Sequence, residues 1–262
     1  MDLYKYNGEA IPILDSQNRF DENYTLSYHY DEQSDSFYSL LRINQTKTDG
    51  SKQFPFVRYL GSNNMSTPRL LYQREPWNLI INSGWYSLEI ENSVVKMDLA
   101  RNPQDHFCAL TIDRDGNLGY AVDWADGAGA EMVANGIVSA TTLFFPLIVD
   151  YEPYDYPSTS ETETERWQHA QRQIIGQYGN GDYAIITSEG RGYQNSIGIT
   201  PDRCIEICQS LGLRFAFNLD GGGSTQTVIG GKTLNSIYEG TDGRLVPAFI
   251  VFNGTTQFRI PE

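Results

Sequence analysis

Along residues 24–30, "YTLSYHY", side-chain character alternates with a period of two, and the same alternation returns in "SFYSLLRI" at 36–43. That period puts successive side chains on opposite faces of a strand, so the pair predicts a hairpin with "DEQSD" as its turn. Further along, "WNLIINSGWYSLEI" (77–90) is more apolar, and "FCALTIDRDGNLGYAV" (107–122) reads as strand, turn, strand. "LFFPLIV" (143–149) is a buried strand, and "YEPYDYPSTSETETE" (151–165) is an exposed loop whose acids begin a short helix reaching Trp167. "RQIIGQY" (172–178) and "YAIITSEGRG" (183–192) flank the turn "GNGD". The clearest helix follows, with Thr200 as its cap, Pro201 in its first position, Gly212 at its end, and Cys204, Ile207, Cys208 and Leu211 on one face. A strand over 214–220 ends on Asp220, "TQTVIGGKTLN" is another hairpin, and "LVPAFIVF" (245–252) is the last strand. Many strands and few helices predict an α+β fold with mostly antiparallel sheet.

Residues 1–75 are polar and tyrosine-rich, which predicts a strand-rich N-terminal segment packed on a main domain over 76–262. A formal net charge of −14 argues against sequence-independent nucleic-acid binding, because that affinity comes from Lys and Arg on phosphates. The start, "MDLYKYNGEAIPILD", has neither the basic residues nor the apolar run of a signal peptide, and no stretch approaches the length of a membrane span. The expected location is therefore cytoplasmic as synthesised. Three cysteines are too few for a disulfide framework, and Cys204 and Cys208 read as buried thiols. "DRDGN" has calcium-loop composition without the downstream Glu, so it reads as a plain turn. His106, His169 and a helical cysteine pair supply no set of three zinc ligands. No cofactor is expected, and calcium or magnesium is the metal that carboxylates and carbonyls would suit.

"NLDGGGSTQTVIGGKT" (218–233) has the glycines, hydroxyls and Gly-Lys-Thr of a phosphate loop. One residue excludes two readings. Gln226 stands where a P-loop needs its first glycine, and also where a nucleophile elbow around Ser224 needs its last. What remains is Asp220, closing an apolar stretch and running into Gly221, Gly222 and Gly223.

Taken in order, "RQIIG" (172–176), "EGRG" (189–192), "GITPDRCIEICQSLG" (198–212), "FNLDGGGSTQTVIGG" (217–231) and "RLVPAFIVF" (244–252) resemble the phosphodiester glycosidase domain family. "LIINSGWY" (79–86) and "FFPLIVDYEPY" (144–154) resemble its earlier segments, so the likeness covers roughly 75 to 255. The chain departs from the family's usual residues at Ser83, Phe145 and Gln173, the last two being expected to reshape a pocket wall. The resemblance implies a hydrolase that cleaves a sugar-1-phosphodiester.

That chemistry needs a phosphate clamp and a carboxylate. Guanidinium forks meet phosphate oxygens in pairs, and Arg172, Arg191 and Arg244 all stand in the resembling motifs. Asp220 suits the carboxylate that stabilises or attacks an oxocarbenium-like centre, with Gly221, Gly222 and Gly223 offering backbone N–H groups to an anion. Ser224 and Thr225 would bind phosphate or sugar hydroxyls, Asn82 would orient sugar or water, and Glu189 would pair with Arg191 or act as a second acid. Two alternatives stand beside this reading. One is a non-catalytic module binding a glycan or polymer in a larger assembly such as a bacteriophage tail; the other is an intracellular enzyme on a nucleotide-type phosphodiester.

Overall fold

The computed structural model describes residues 11–14, 20–84, 88–98, 108–122, 127–142, 144–156, 167–238 and 240–254. His106 and most of the loop expected over 151–165 lie outside them.

Three antiparallel sheets carry the α+β fold. The first has eight strands in the order β1 (Ile11–Leu14), β2 (Phe20–Asp31), β3 (Ser36–Ile43), β14 (Tyr183–Ser188), β13 (Gln173–Tyr178), β15 (Leu213–Asn218), β11 (Pro146–Val149) and β12 (Glu152–Pro153). The second runs β7 (Val94–Asp98), β6 (Leu88–Glu91), β10 (Ile137–Thr142), β8 (Ala109–Asp113) and β9 (Leu118–Ala121). The third runs β17 (Lys232–Thr233), β16 (Thr227–Ile229), β5 (Trp77–Asn82), β18 (Ala248–Gly254) and β4 (Pro55–Tyr59).

Alternation decides what each face of the first sheet meets. Leu26, Leu41, Ile185, Ile175 and Phe217 share one face by register, and they join a core cluster with Leu79, Ile81, Ile250 and Phe252 of the third sheet and Leu110 and Ile112 of the second. Helix α3 (Pro201–Ser210) adds Cys204, Ile207 and Cys208 to that cluster. Its Thr200 Oγ1 accepts from the Arg203 N–H at 3.3 Å, as a cap should. Two shorter helices, α1 (Pro68–Arg74) and α2 (Ala128–Ala134), cover smaller clusters on the third and second sheets. Seven residues give too little periodicity for either to stand out in the sequence.

The hairpins at 24–43, 107–122, 172–192 and 225–235 form as the alternation predicts, with shorter ends. Asp113 holds the "DRDGN" turn, its carboxylate accepting from the N–H groups of Asp115 and Asn117 at 2.8 Å each. The strand expected over 143–149 starts only at Pro146, because Phe144 has φ 90° and breaks the extended run. The strand expected over 214–220 stops at Asn218, and Asp220 instead lies in the connection after it. Register then places the motif segments. Gln173 pairs with Thr187 and Ile174 with Asn218, so β13 begins where β14 and β15 end. In the third sheet Ile81 pairs with Thr227 and Asn82 with Phe249, so β5 ends where β16 and β18 begin. These two edges meet.

Candidate active site

Asn82 joins the edges. It is fully buried at the end of β5; its Nδ2 donates to the Asp220 carbonyl at 2.6 Å, and its Oδ1 accepts from the Gln226 N–H at 3.0 Å. The Asp220 N–H in turn donates to the Ser83 carbonyl at 3.2 Å. Both ends of the Asn82 amide are engaged on backbone, so this side chain positions the Asp220 loop. Asp220 itself is 8% exposed, which leaves it a narrow opening to solvent.

After Asp220 the chain makes a single 3-10 turn, Gly222–Ser224. Two glycines are required here. A Cβ on Gly221 would lie 2.7 Å from the Gln171 carbonyl oxygen, and Gly222 has φ +56°, where its Cβ would meet Arg191 Nη2 at 2.8 Å. The Arg191 guanidinium therefore rests against the glycine turn. The Gly222 N–H donates to Gln171 O at 2.8 Å, whereas no acceptor among the described residues takes the N–H of Gly221 or Gly223. The side-chain oxygens of Ser224 and Thr225 are buried and also without a partner there.

The three arginines differ. Arg172 is 3% exposed; its Nε donates to the Ile199 carbonyl at 2.9 Å and its Nη2 to that of Gln168 at 2.6 Å, with its Cδ beside Gly221. Arg191 is exposed, has φ 57°, and lies with its guanidinium carbon 4.5 Å from the centre of the Tyr238 ring. Arg244 is half-buried, two residues after Asp242, whose carbonyl accepts from Gln226 Nε2 at 3.1 Å.

The loop bearing Arg191 is strained and stapled. Gln194 and Asn195 also have positive φ, 53° and 54°. The Ile197 N–H donates to Asp35 O at 3.1 Å, the Gly198 N–H to Ser36 Oγ at 2.7 Å, and Ser196 Oγ accepts from the Phe37 N–H at 2.9 Å. The β2–β3 hairpin thus holds this loop in shape.

Glu189 is 5% exposed and accepts from the Ser236 N–H at 2.9 Å through Oε1, while its Oε2 is buried without a partner among the described residues. Burial pushes its carboxyl above the ordinary carboxylate range, with the backbone and side chain of Ser236 and then the Gln171 side chain acting in the opposite direction. His169 Nδ1 is 2.8 Å from the Gly198 carbonyl, a structural bond. Gln173 and Phe145, expected in a pocket wall, are committed to packing. Gln173 bridges Thr187 and Thr227 at 3.1 and 3.2 Å, and Phe145 stacks on Tyr156 at 4.1 Å. Among the described residues no group of three His, Cys, Asp or Glu side chains could hold a metal ion.

Sequence reasoning missed Gln171 and Ser236. Gln171 supports the glycine turn through its carbonyl and donates from Nε2 to Ser236 O at 3.1 Å. Nothing in their spacing signals this; only adjacency to Arg172 pointed at Gln171. Gln226 was noticed for what it excluded. It proves to be a staple, accepting from the Arg69 N–H at 3.0 Å as well as binding Asp242 and Asn82.

A family model described as phosphodiester glycosidase matches residues 66–253, more than half of the chain. A Bacillus subtilis protein, the SPbeta prophage-derived uncharacterized protein YomE, is 29% identical over 204 residues, which cover 75% of this chain and 31% of that protein. The chain therefore spans about a third of that relative's length. Among solved structures, the catalytic domain of zebrafish N-acetylglucosamine-1-phosphodiester alpha-N-acetylglucosaminidase, auto-inhibited by its pro-peptide, aligns with a TM-score of 0.61 at 14% identity. That alignment covers 94% of this chain and 82% of the zebrafish one. A hypothetical protein from Synechocystis aligns with the same TM-score and identity, covering 87% of this chain and 61% of its own. At such identities the likeness is one of fold.

Proposed function

We propose, on the premise that this chain belongs to the phosphodiester glycosidase family, that it hydrolyses the bond between a sugar's anomeric carbon and a phosphodiester oxygen. The observation that carries this is the meeting of Asp220, the unengaged N–H groups of Gly221 and Gly223, and the Arg191 guanidinium at one glycine turn.

In this reading the phosphate sits on Arg191 and the two N–H groups, where donors to a charged acceptor are strongest. The hydroxyls of Ser224 and Thr225 complete the donor set. The C1–O bond breaks with its electron pair remaining on the phosphate oxygen, so the leaving group departs as an anion and needs little protonation. Positive character develops at C1, and the Asp220 carboxylate stabilises or attacks it. Water then supplies the oxygen that bonds to C1. Where Asp220 has attacked, the bond between C1 and the Asp220 oxygen breaks with its electron pair returning to the carboxylate. In either case the water's proton goes to Asp220 and from there to solvent. Arg172, engaged on two carbonyls, braces the turn from behind, and Asn82 fixes the direction of Asp220.

Hydrolysis in ¹⁸O-labelled water tests this directly. The label is expected in the released sugar; label in the phosphate product would mean P–O cleavage and a different class of enzyme.

The prophage-derived relative favours a second reading, in which the chain is part of a phage-associated assembly and holds a glycan polymer without cleaving it. Polymer retention with no sugar released, by parent and Asp220→Asn alike, would select it.

A further inference from the structure

A second feature of the site region is a cavity whose lining includes Tyr28, Phe37, Ser39, Glu189, Gln194 and Leu234. Its volume is about 10 Å³, which is room for one group the size of a water molecule. Two of its lining residues carry a buried side-chain oxygen, Glu189 Oε2 and Gln194 Oε1, with no hydrogen-bond partner among the described residues. Both are acceptors. A carboxylate oxygen left so inside a protein is costly unless something that binds there supplies a donor.

The other walls narrow the choice. By register Tyr28 lies opposite Ser39, on the sheet face that also carries Thr187, and Tyr30 packs on Phe37 at 4.9 Å between ring centres. Tyr28 is close enough to feel the carboxylate: burial, then the Glu189 charge, push its phenol up to about 12. Aromatic surface beside a carboxylate attracts a cation and does nothing for an anion. A quaternary ammonium is too large for the cavity. A primary ammonium fits, and its N–H groups match the two unpartnered acceptors.

We propose that this cavity is a recognition site for a primary ammonium group, carried on a larger ligand such as an amino sugar whose body remains outside. Tyr28 and Phe37 come from strands that precede the segment matched by the family model, so the site is assembled by this chain's N-terminal hairpin on the family's framework. The proposal does not depend on hydrolysis, since Glu189 takes no part in the chemistry proposed above.

Isothermal titration with glucosamine hydrochloride, and with glucose as the control, tests it at neutral pH and constant ionic strength. Glucosamine is expected to bind the parent protein and glucose to bind about tenfold more weakly or not at all. Glu189→Gln keeps the shape but removes the charge, and glucosamine affinity should fall by about tenfold or more. Gln194→Leu, at a half-buried loop position, removes the other acceptor without touching the strands and should weaken glucosamine by a smaller factor. Equal binding of the two sugars by the parent, or a Gln194→Leu variant and a folded Glu189→Gln variant that both bind glucosamine as the parent does, would show that the cavity holds only water.

Discussion

Arg172 and Arg191 stand in neighbouring motifs and flank the same glycine turn, yet they live under opposite conditions. Arg172 is enclosed, one residue before β13, with its guanidinium engaged on the carbonyls of Ile199 and Gln168. Arg191 is exposed, in left-handed backbone on a loop held by the β2–β3 hairpin, and lies across Tyr238 and Gly222. The first belongs to the floor of the site and the second to its rim. Residue type and motif do not separate such roles. What separates them is whether the donors are already matched inside the protein, since a matched buried donor stabilises the fold and an unmatched exposed one is available to a ligand.

The largest expected effect would break this contrast if it failed. Arg172→Leu leaves the buried Ile199 carbonyl without its arginine donor, removes the bond to the Gln168 carbonyl, and should destabilise the protein by about 1–3 kcal/mol. Arg191→Ala should change stability by less than about 1 kcal/mol, since it removes an exposed side chain from strained backbone, while weakening sugar-phosphodiester binding. Urea denaturation of both variants decides it; equal losses of stability would erase the distinction between floor and rim.

Gly222→Ala sharpens the same contrast from the other side. The positive φ makes alanine cost about 1–2 kcal/mol, and the new Cβ at 2.8 Å would push the Arg191 guanidinium away from the turn. Ligand affinity should fall as it does in Arg191→Ala, with no added effect in the double variant. Additive losses would mean that Arg191 does not act through its contact with the turn.

A smaller effect concerns a buried carboxyl of the second sheet. Glu89 is fully buried in β6, with one oxygen 3.4 Å from Thr141 Oγ1 and the other without a partner among the described residues. Burial pushes its carboxyl well above the ordinary range. A raised carboxylate pKa means that the unfolded chain gives up its proton first. Stability is therefore fullest below the unfolded value of about 4.3 and falls as pH rises through the folded value. Glu89→Gln should flatten that decline, so its melting temperature relative to the parent should rise with pH. A constant difference across the range would contradict the assignment.

The sheet framework was legible in the chain because a period of two is a strong local signal. The hairpins of β2–β3 and β13–β14 and the capped helix α3 all declare themselves through alternation, turn residues and Thr200. The site was legible as a set of motifs. Asp220, the glycines and Asn82 do meet, because strand register carries their segments to one edge. Three things were not readable. The fate of a guanidinium depends on carbonyls distant in sequence, so Arg172 and Arg191 looked alike. Gln171 and Ser236 work through backbone atoms that every residue has. Gln173 and Phe145 looked like pocket residues by departing from a family pattern, whereas their surroundings give Gln173 two hydroxyl partners and Phe145 an aromatic one.

The central claim, that Asp220 provides the carboxylate acting at the anomeric carbon, is tested most directly by sugar release from a defined sugar-1-phosphodiester by the parent and by Asp220→Asn. The substitution keeps size and hydrogen-bonding reach while removing the charge that matters most as C1 becomes positive. Turnover is expected to fall by about a hundredfold or more, with the intact diester still bound. A folded Asp220→Asn protein that binds the diester and releases sugar at the parent rate would contradict the account.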